Sequence, residues 1–160
     1  MARRRGFTVY GLEINADLVR NNAVTNGPGI YVGDIHTFDF SRFPRPHLIM
    51  GSPPCTQYSI TRRHEVMDLR QADENVVRLL NILQRYPEAV GIIENPDTSL
   101  LWSRPYHDRL PPHKTMASYC MYGFQYRKNT RFASSIPLTL KQCNHGAFYR
   151  HPMNLGPDFI

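Results

Sequence analysis

The chain has few cysteines, and their arrangement excludes two classes of small protein. Only three occur in 160 residues, Cys55, Cys120 and Cys143, and none belongs to a Cys-x-x-Cys pair. An odd number of widely spaced cysteines argues against a disulfide framework and against a structural zinc site. Unpaired thiols are typical of reducing compartments. The sequence therefore predicts an intracellular protein of the cytoplasm, in a prokaryote or a virus-infected cell, or of the nucleus.

Long apolar runs and targeting signals are lacking as well. No stretch of eighteen apolar residues occurs, so the sequence predicts no membrane-spanning helix. The basic residues 1–5 are not followed by an apolar segment, which argues against a signal peptide. Histidines with the spacing of a zinc-binding His-Glu-x-x-His motif are also missing, and no metal site is predicted. The histidines considered are His107, His113, His145 and His151.

Acidic residues are outnumbered by basic ones. The chain has 19 Lys and Arg residues against 13 Asp and Glu, which gives a formal net charge of +6 and a sequence pI of about 9.5. Hydrophobic residues make up 41%, which is enough for one globular domain with a single core. The positive balance favours a polyanionic partner, and nucleic acid is the first candidate.

The distribution of apolar residues predicts strands that alternate with helices. Short runs rich in β-branched and aromatic residues predict strands, and apolar residues at three- and four-residue spacing predict helices. This order predicts an α/β fold with a mostly parallel sheet. The predicted strands are 7–12, 30–32, 47–50, 89–93, 116–122 and 130–134, and the predicted helices are 16–22 and 68–85.

Reactive side chains follow four successive predicted strands. They are Glu13, Asp34, Cys55 and Glu94. Because ligands of parallel sheets bind beyond the carboxyl ends of the strands, we expect these side chains at one sheet edge. For Glu13 and Asp34 the alternative is that each acid caps the following helix. That alternative is weaker for Glu94, because Pro96 prevents simple helical continuation from the preceding residue.

The residues around Cys55 predict a rigid turn that presents one thiol. Pro53 and Pro54 fix the backbone φ angle near −65° and have no N–H group, so the cysteine follows a stiff platform. A cysteine that served only for packing would lie inside the preceding apolar run. A turn thiol without a chemical role is the alternative.

Five blocks together resemble the cytosine-C5 DNA methyltransferases. Residues 51–59, Gly-Ser-Pro-Pro-Cys-Thr-Gln-Tyr-Ser, resemble the nucleophile loop of that family, and 94–96, Glu-Asn-Pro, resemble its Glu-Asn block. Glu13 and residues 33–35, Gly-Asp-Ile, lie where the family binds its cofactor. Residues 127–131 fall where the family has a Gln-x-Arg-x-Arg strand, although Arg and Asn replace the first Gln and Arg.

The resemblance implies a Rossmann-like S-adenosylmethionine-dependent methyltransferase fold, mostly parallel and incomplete. It implies that S-adenosylmethionine is the cofactor, with Glu13 on the ribose and Asp34 on the adenine. It also implies that Cys55 adds to C6 of cytosine, that Glu94 holds N3 and the 4-amino group, and that Arg131 neutralises charge on O2. The remaining implied contacts are Ile35 and Pro53 to the cofactor, and Ser59, Arg62, Arg63 and Arg127 to nucleic acid.

Two of these implications have structural alternatives. The target base must be flipped out of its stack, and residues 56–70 have the composition of a closing loop, but a plain solvated loop is the alternative. Arg127 and Arg131 could equally lie on a solvated surface strand. DNA is the expected partner, and RNA stays open.

Two parts of the family pattern are missing from the sequence. No Phe-x-Gly-x-Gly motif precedes Phe7, and no long target-recognition region follows Phe132. We therefore expect a partial catalytic domain over residues 1–135 and an irregular tail over 136–160. A second chain that supplies the missing motifs is one alternative, and a non-catalytic remnant that binds nucleic acid is another. A cysteine hydrolase with His64 as the partner base is the least favoured hypothesis.

Overall fold

The computed structural model describes residues 6–20, 29–59, 68–124 and 126–144. The chain divides into two compact units, Met1–Pro46 and His47–Ile160, which we describe separately. Within the described residues, no helix is long and apolar enough to cross a membrane.

The first unit contains a two-stranded parallel sheet. Strand β1 (Gly11–Glu13) pairs with β2 (Ile30–Val32), and Leu12 lies opposite Tyr31. Strand β1 is shorter than the predicted strand 7–12 and ends one residue later, whereas β2 has the predicted bounds. Residues 16–20 are helical and form α1, which begins at the predicted cap because Asn15 Oδ1 accepts a hydrogen bond of 2.9 Å from the backbone N of Asp17.

Aromatic rings hold the first unit together. Phe43 is the centre of the cluster, since its ring centroid lies 4.9 Å from that of Tyr10 and 5.2 Å from those of Tyr31 and Phe38. Phe40 adds an edge-on contact to Phe38 at 5.2 Å. Offset and tilted ring pairs at these distances are favourable. No described residue of this unit is fully buried, so the rings cover one another without forming a closed core.

The second unit contains a mixed four-stranded sheet in the order β3-β4-β6-β5. Strands β3 and β4 are parallel, and β6 runs antiparallel to both β4 and β5. The parallel pair places the ends of β3 and β4 at the same edge. The strands are β3 (Leu48–Gly51), β4 (Val90–Pro96), β5 (His113–Ser118) and β6 (Asn129–Ser134).

Helix α2 (Leu69–Arg85) packs against one face of this sheet. It begins one residue after the predicted start, where Asp68 Oδ1 accepts a hydrogen bond of 3.0 Å from the backbone N of Gln71. Two glycines of the sheet permit the helix to pack closely on it. A Cβ at Gly51 would overlap the side chain of Leu79, and a Cβ at Gly91 would lie 3.1 Å from the side chain of Leu83. The helix residues that are buried are Ala72, Val76, Leu79, Leu80 and Ile82.

The larger differences between the predicted and the observed elements of the second unit concern β4, β5 and the predicted tail. Strand β4 continues through Pro96, so Glu94 lies within the strand and not beyond it, since the backbone of residues 94–96 still pairs with β6. The predicted strand 116–122 is β5 followed by a 3-10 turn, Tyr119–Tyr122. The start of the predicted tail packs on this unit, because Ser118 N donates to the carbonyl of Lys141 at 3.1 Å and Cys143 is buried.

Candidate active site

Cys55 begins a single 3-10 turn, Cys55–Tyr58, that follows β3 after three residues. Its thiol is exposed. Two residues earlier, the carbonyl of Pro53 accepts a hydrogen bond of 2.8 Å from Asn95 Nδ2 on β4. Asn95 is only 1% exposed, so a buried amide ties the cysteine loop to the neighbouring strand. The loop is therefore fixed where it leaves the sheet, and its thiol faces solvent.

The other end of the turn is fixed by a buried tyrosine. Tyr58 is fully buried, and its hydroxyl donates a hydrogen bond of 2.9 Å to Asp73 Oδ1 on α2. The hydroxyl of Tyr106 donates to the same Tyr58 oxygen at 3.0 Å. Burial is the largest cause that raises the pKa of Tyr58, and burial raises the pKa of Tyr106 to about 12. Both phenols therefore stay protonated at neutral pH and act as hydrogen-bond donors.

Asp73 is held by a guanidinium as well as by Tyr58. Arg104 Nε lies 3.1 Å from Asp73 Oδ1 and 3.0 Å from Oδ2. Burial pushes the pKa of Asp73 upward, but the hydrogen bonds from Arg104 and Tyr58 outweigh it and hold that pKa below its ordinary value. The carboxylate is thus charged at neutral pH and accepts hydrogen bonds from two segments that are distant in sequence.

Glu94 lies on β4, next to the strand that leads into the cysteine loop. Gly51 pairs with Ile93, so Glu94 is one residue beyond the last paired level of β3. Its Oε1 atom is buried and has no hydrogen-bond partner among the described residues. A buried oxygen without a partner is unfavourable by about 1–3 kcal/mol and needs an explanation, of which a catalytic role is one. Asn95 Oδ1 and Thr130 Oγ1 are in the same condition. The predicted neighbours Cys55 and Glu94 are therefore carried by adjacent parallel strands.

Arg131 is on β6, directly opposite Asn95. Residues opposite each other in an antiparallel pair share a face, and successive residues alternate, so Arg131 and Glu94 lie on different faces of the sheet. The guanidinium of Arg131 pairs with Asp97, with Nε at 2.9 Å and Nη2 at 2.7 Å from Oδ1. It also lies over the ring of Trp102, 5.5 Å from the centroid. The structure thus brings Arg131 to Asp97 and not to Glu94.

The structure describes two of the four predicted nucleic-acid contacts, Ser59 and Arg127. Ser59 is half-buried and ends the cysteine turn. Arg127 is exposed just before β6, where its Nε lies 3.4 Å from Asn129 Oδ1. Arg62 and Arg63 lie outside the described residues, and so does His64. Among the described residues, no three His, Cys, Asp or Glu side chains cluster as metal ligands do.

Three of the four predicted cofactor contacts, Glu13, Asp34 and Ile35, belong to the first unit, and Pro53 belongs to the second. Glu13 ends β1 and Asp34 follows β2 by two residues, so both carboxylates lie at the same edge of the parallel pair. Glu13 Oε1 accepts a hydrogen bond of 2.9 Å from Asn15 N, and Asp34 Oδ1 accepts one of 2.8 Å from His36 N. Asn15, and not Glu13, caps α1. The helix-capping alternative therefore does not account for the carboxylate of Glu13.

Sequence reasoning missed the group formed by Tyr58, Asp73, Arg104 and Tyr106. A signal was nonetheless present. Asp73 follows Ala72 and precedes Val76 by three residues, so an acid borders the apolar face of the predicted helix. Acids at such positions need partners, and Tyr58 and Arg104 supply them.

Comparisons with known proteins give a fold. No family model matches the chain, and no curated protein sequence does. The Dnmt2 methyltransferase of S. pombe is similar in structure, with a TM-score of 0.58 at 19% identity over 80% of this chain and 42% of that one. The methyltransferase EhMeth of Entamoeba histolytica gives a TM-score of 0.52 at 16% identity, over 87% of this chain and 49% of its own.

These neighbours confirm the predicted fold class. The chain has a Rossmann-like methyltransferase fold, and the four-stranded sheet of its second unit is mixed, with β3 and β4 parallel. It spans less than half the length of either of these two solved methyltransferases.

Proposed function

We propose that this chain carries the nucleophile of an S-adenosylmethionine-dependent cytosine-C5 methyltransferase that acts on DNA. The observation that carries the proposal is an exposed cysteine whose loop lies next to a strand with a half-buried glutamate, one carboxyl oxygen of which has no partner among the described residues. Cys55 stands on a turn anchored at both ends, and the neighbouring parallel strand holds Glu94 with an unpartnered buried oxygen. RNA is the alternative nucleic acid.

In the proposed reaction, Cys55 acts as the thiolate nucleophile. Its sulfur forms a bond to C6 of the cytosine, and the electron pair of the C5–C6 double bond moves toward C5 and N3. Glu94 donates a hydrogen bond to N3 at the moment when that nitrogen gains charge. The unpartnered Oε1 of Glu94 suits this role, because no contact within the described residues has to be broken first. After methylation, a base takes the C5 proton, the C5–C6 double bond forms again and the thiolate leaves C6.

The proposed role of Arg131 requires a change of partner. The side chain is 36% exposed and is held by Asp97. Arg131 and Glu94 lie on different faces of the sheet, so we propose the guanidinium as a contact to a phosphate of the nucleic acid and not to O2 of the base that Glu94 holds. Ser59, Arg62, Arg63 and Arg127 are proposed as contacts to the nucleic-acid backbone, where positive charge increases affinity without reading sequence.

The first unit offers a donor set that fits the adenosine part of the cofactor. Ribose hydroxyls and the adenine amine are hydrogen-bond donors, and the carboxylates of Glu13 and Asp34 at one sheet edge are acceptors. Ile35 would add an apolar contact. When bound, S-adenosylmethionine supplies the electrophilic methyl group.

A non-catalytic nucleic-acid-binding module is the second candidate. The formal charge of +6 favours it, since charge alone can bind a polyanion. A titration with S-adenosylmethionine separates the two, because only the methyltransferase needs the cofactor. If S-adenosylmethionine binds neither to the chain alone nor to the chain with a methyltransferase partner chain, the non-catalytic module is the function that remains.

The decisive experiment is covalent trapping with an oligonucleotide that contains 5-fluorocytosine, in the presence of S-adenosylmethionine. The wild-type chain should form an adduct that resists denaturation, because fluorine at C5 cannot leave as the proton does. Cys55→Ala should abolish the adduct, and Glu94→Gln should slow it by about 100-fold. Cys120→Ala is the matched control and should trap normally. An adduct that persists in Cys55→Ala would remove this cysteine from the role.

A further inference from the structure

In the described part of the chain, three hydrogen bonds hold the turn that bears Cys55, and the cysteine itself takes part in none of the three. On one side, Asn95 binds the carbonyl of Pro53 at 2.8 Å. On the other side, Gln57 Oε1 accepts a hydrogen bond of 2.9 Å from the backbone N of Asp68, and Tyr58 reaches Asp73 at 2.9 Å. The last contact is the only one of the three made by a fully buried side chain of the turn.

The Tyr58 contact continues into a larger group. Tyr106 donates to the Tyr58 hydroxyl at 3.0 Å, and Arg104 holds both oxygens of Asp73. The group therefore joins the cysteine turn, helix α2 and the segment around residue 104. Buried hydrogen-bond networks of this kind are rigid when every member is satisfied, and each polar end of this one has a partner.

We propose that Asp73 is a positioning residue for Cys55 and acts through the hydroxyl of Tyr58. Tyr58 closes the turn that Cys55 opens, so a fixed Tyr58 hydroxyl fixes the orientation of the whole turn. Displacing a nucleophile by about 1 Å can slow a reaction by about 100-fold. The inference rests on the proposed nucleophilic role of Cys55, but the hydrogen bond itself can be tested without that chemistry.

The test compares Tyr58→Phe and Asp73→Asn with the full-length wild-type chain in two measurements. The first is backbone amide exchange at residues 55–58, which reports how firmly the turn is held. The second is the rate of adduct formation with the 5-fluorocytosine oligonucleotide at saturating concentration, with its Kd measured separately. Arg109→Gln is the matched control, because Arg109 binds Asn81 on α2 at 2.7 Å, away from the turn.

We expect Tyr58→Phe to speed amide exchange about fivefold or more and to slow adduct formation by about 10- to 100-fold. The oligonucleotide Kd should stay within about twofold, because the turn is present but misaligned. Asp73→Asn should have a similar effect. The double variant should form the adduct no more slowly than the slower single variant, because both substitutions remove the same hydrogen bond. Arg109→Gln should match the wild type.

Two results would overturn the inference. One is a Tyr58→Phe chain with wild-type exchange and a wild-type adduct rate. The other is a Kd that weakens as much as the rate falls, which would indicate lost binding and not lost alignment. Failure of the wild type to form any adduct contradicts the proposed function instead. In that case unchanged amide exchange in Tyr58→Phe still refutes the anchoring contact, and faster exchange supports it.

Discussion

The two units of this chain differ in how much they bury. The first unit, Met1–Pro46, has two strands of three residues and a cluster of aromatic rings, and none of its described residues is fully buried. The second unit has four strands and a seventeen-residue helix, with a core that includes Val76, Leu80 and Ile93. The proposed nucleophile belongs to the unit with a core, and the proposed cofactor acids belong to the unit without one.

Energetics explain why this difference matters. A fully buried aliphatic side chain contributes about 1.5–3 kcal/mol, and the second unit has several. A two-stranded sheet is marginally stable at best in water. We therefore expect the cysteine turn to stay folded even when the first unit is unfolded.

The largest expected effect comes from separating the units. A chain of residues 47–160 should keep a cooperative thermal transition and its helical circular dichroism, because α2 and the four-stranded sheet lie wholly within it. A peptide of residues 1–46 should show no cooperative transition. The intact chain is the control. A cooperative thermal transition in the 1–46 peptide, or loss of the helical signal in the 47–160 chain, would contradict the assigned difference in stability between the two units.

The second prediction concerns the cofactor acids. Glu13→Ala and Asp34→Ala should each weaken S-adenosylmethionine binding by about 10- to 100-fold, because each removes a charged hydrogen-bond acceptor. Isothermal titration measures the effect. Asp17→Ala is the matched control, since this exposed acid lies on α1 in the same unit and pairs with Arg20. Equal affinity in all three variants would place the cofactor site elsewhere.

The third prediction tests the packing of the second unit. Gly51→Ala should lower its free energy of unfolding by about 2 kcal/mol, because the new Cβ overlaps both methyl groups of buried Leu79. Gly91→Ala should have a smaller effect, since its Cβ would be 3.1 Å from Leu83. Urea unfolding measures both. An equal effect in the two variants would mean that the close approach of α2 at Gly51 is not required.

The smallest expected effect is the pH dependence of stability that Asp73 causes. The pKa of Asp73 in the folded chain lies below the ordinary value of 3.8. Its contribution to the free energy of unfolding is therefore complete above that pH and is lost as the pH falls through the folded pKa. The stability difference between wild type and Asp73→Asn should therefore be constant from pH 5 to 7 and shrink by about 1 kcal/mol below pH 3.8. Urea unfolding across this range measures it. A difference that grows at low pH would contradict the assigned direction.

Much of the fold was accessible from the sequence, because local patterns decide it. The spacing of apolar residues in 68–85 predicted α2 almost to the residue, and Asn15 predicted the start of α1. The run 89–93 predicted β4 but not its length, since the backbone pairing of Asn95 with Arg131 depends on a strand more than thirty residues away. Non-local pairing of this kind leaves no periodic signal in β4 itself.

The site was accessible only in part for the same reason. Cys55 and Glu94 were identified from their blocks, and their strands are adjacent as expected. The partners of Arg131 and Tyr58 were not identified, because Asp97 and Asp73 are joined to them by register and by helix packing. The blocks predict which residues react, while the tertiary contacts decide which neighbours hold them in place.

The position of Trp102 provides a built-in optical probe. It is the single tryptophan of the chain, its indole Nε1 donates to the carbonyl of Pro96 at 2.8 Å, and the guanidinium of Arg131 lies over its ring. A ligand that draws this cation away alters the electric field at the indole. The fluorescence of the unlabelled protein should therefore shift whenever Arg131 exchanges Asp97 for a bound anion, and engagement of that arginine can be followed in real time.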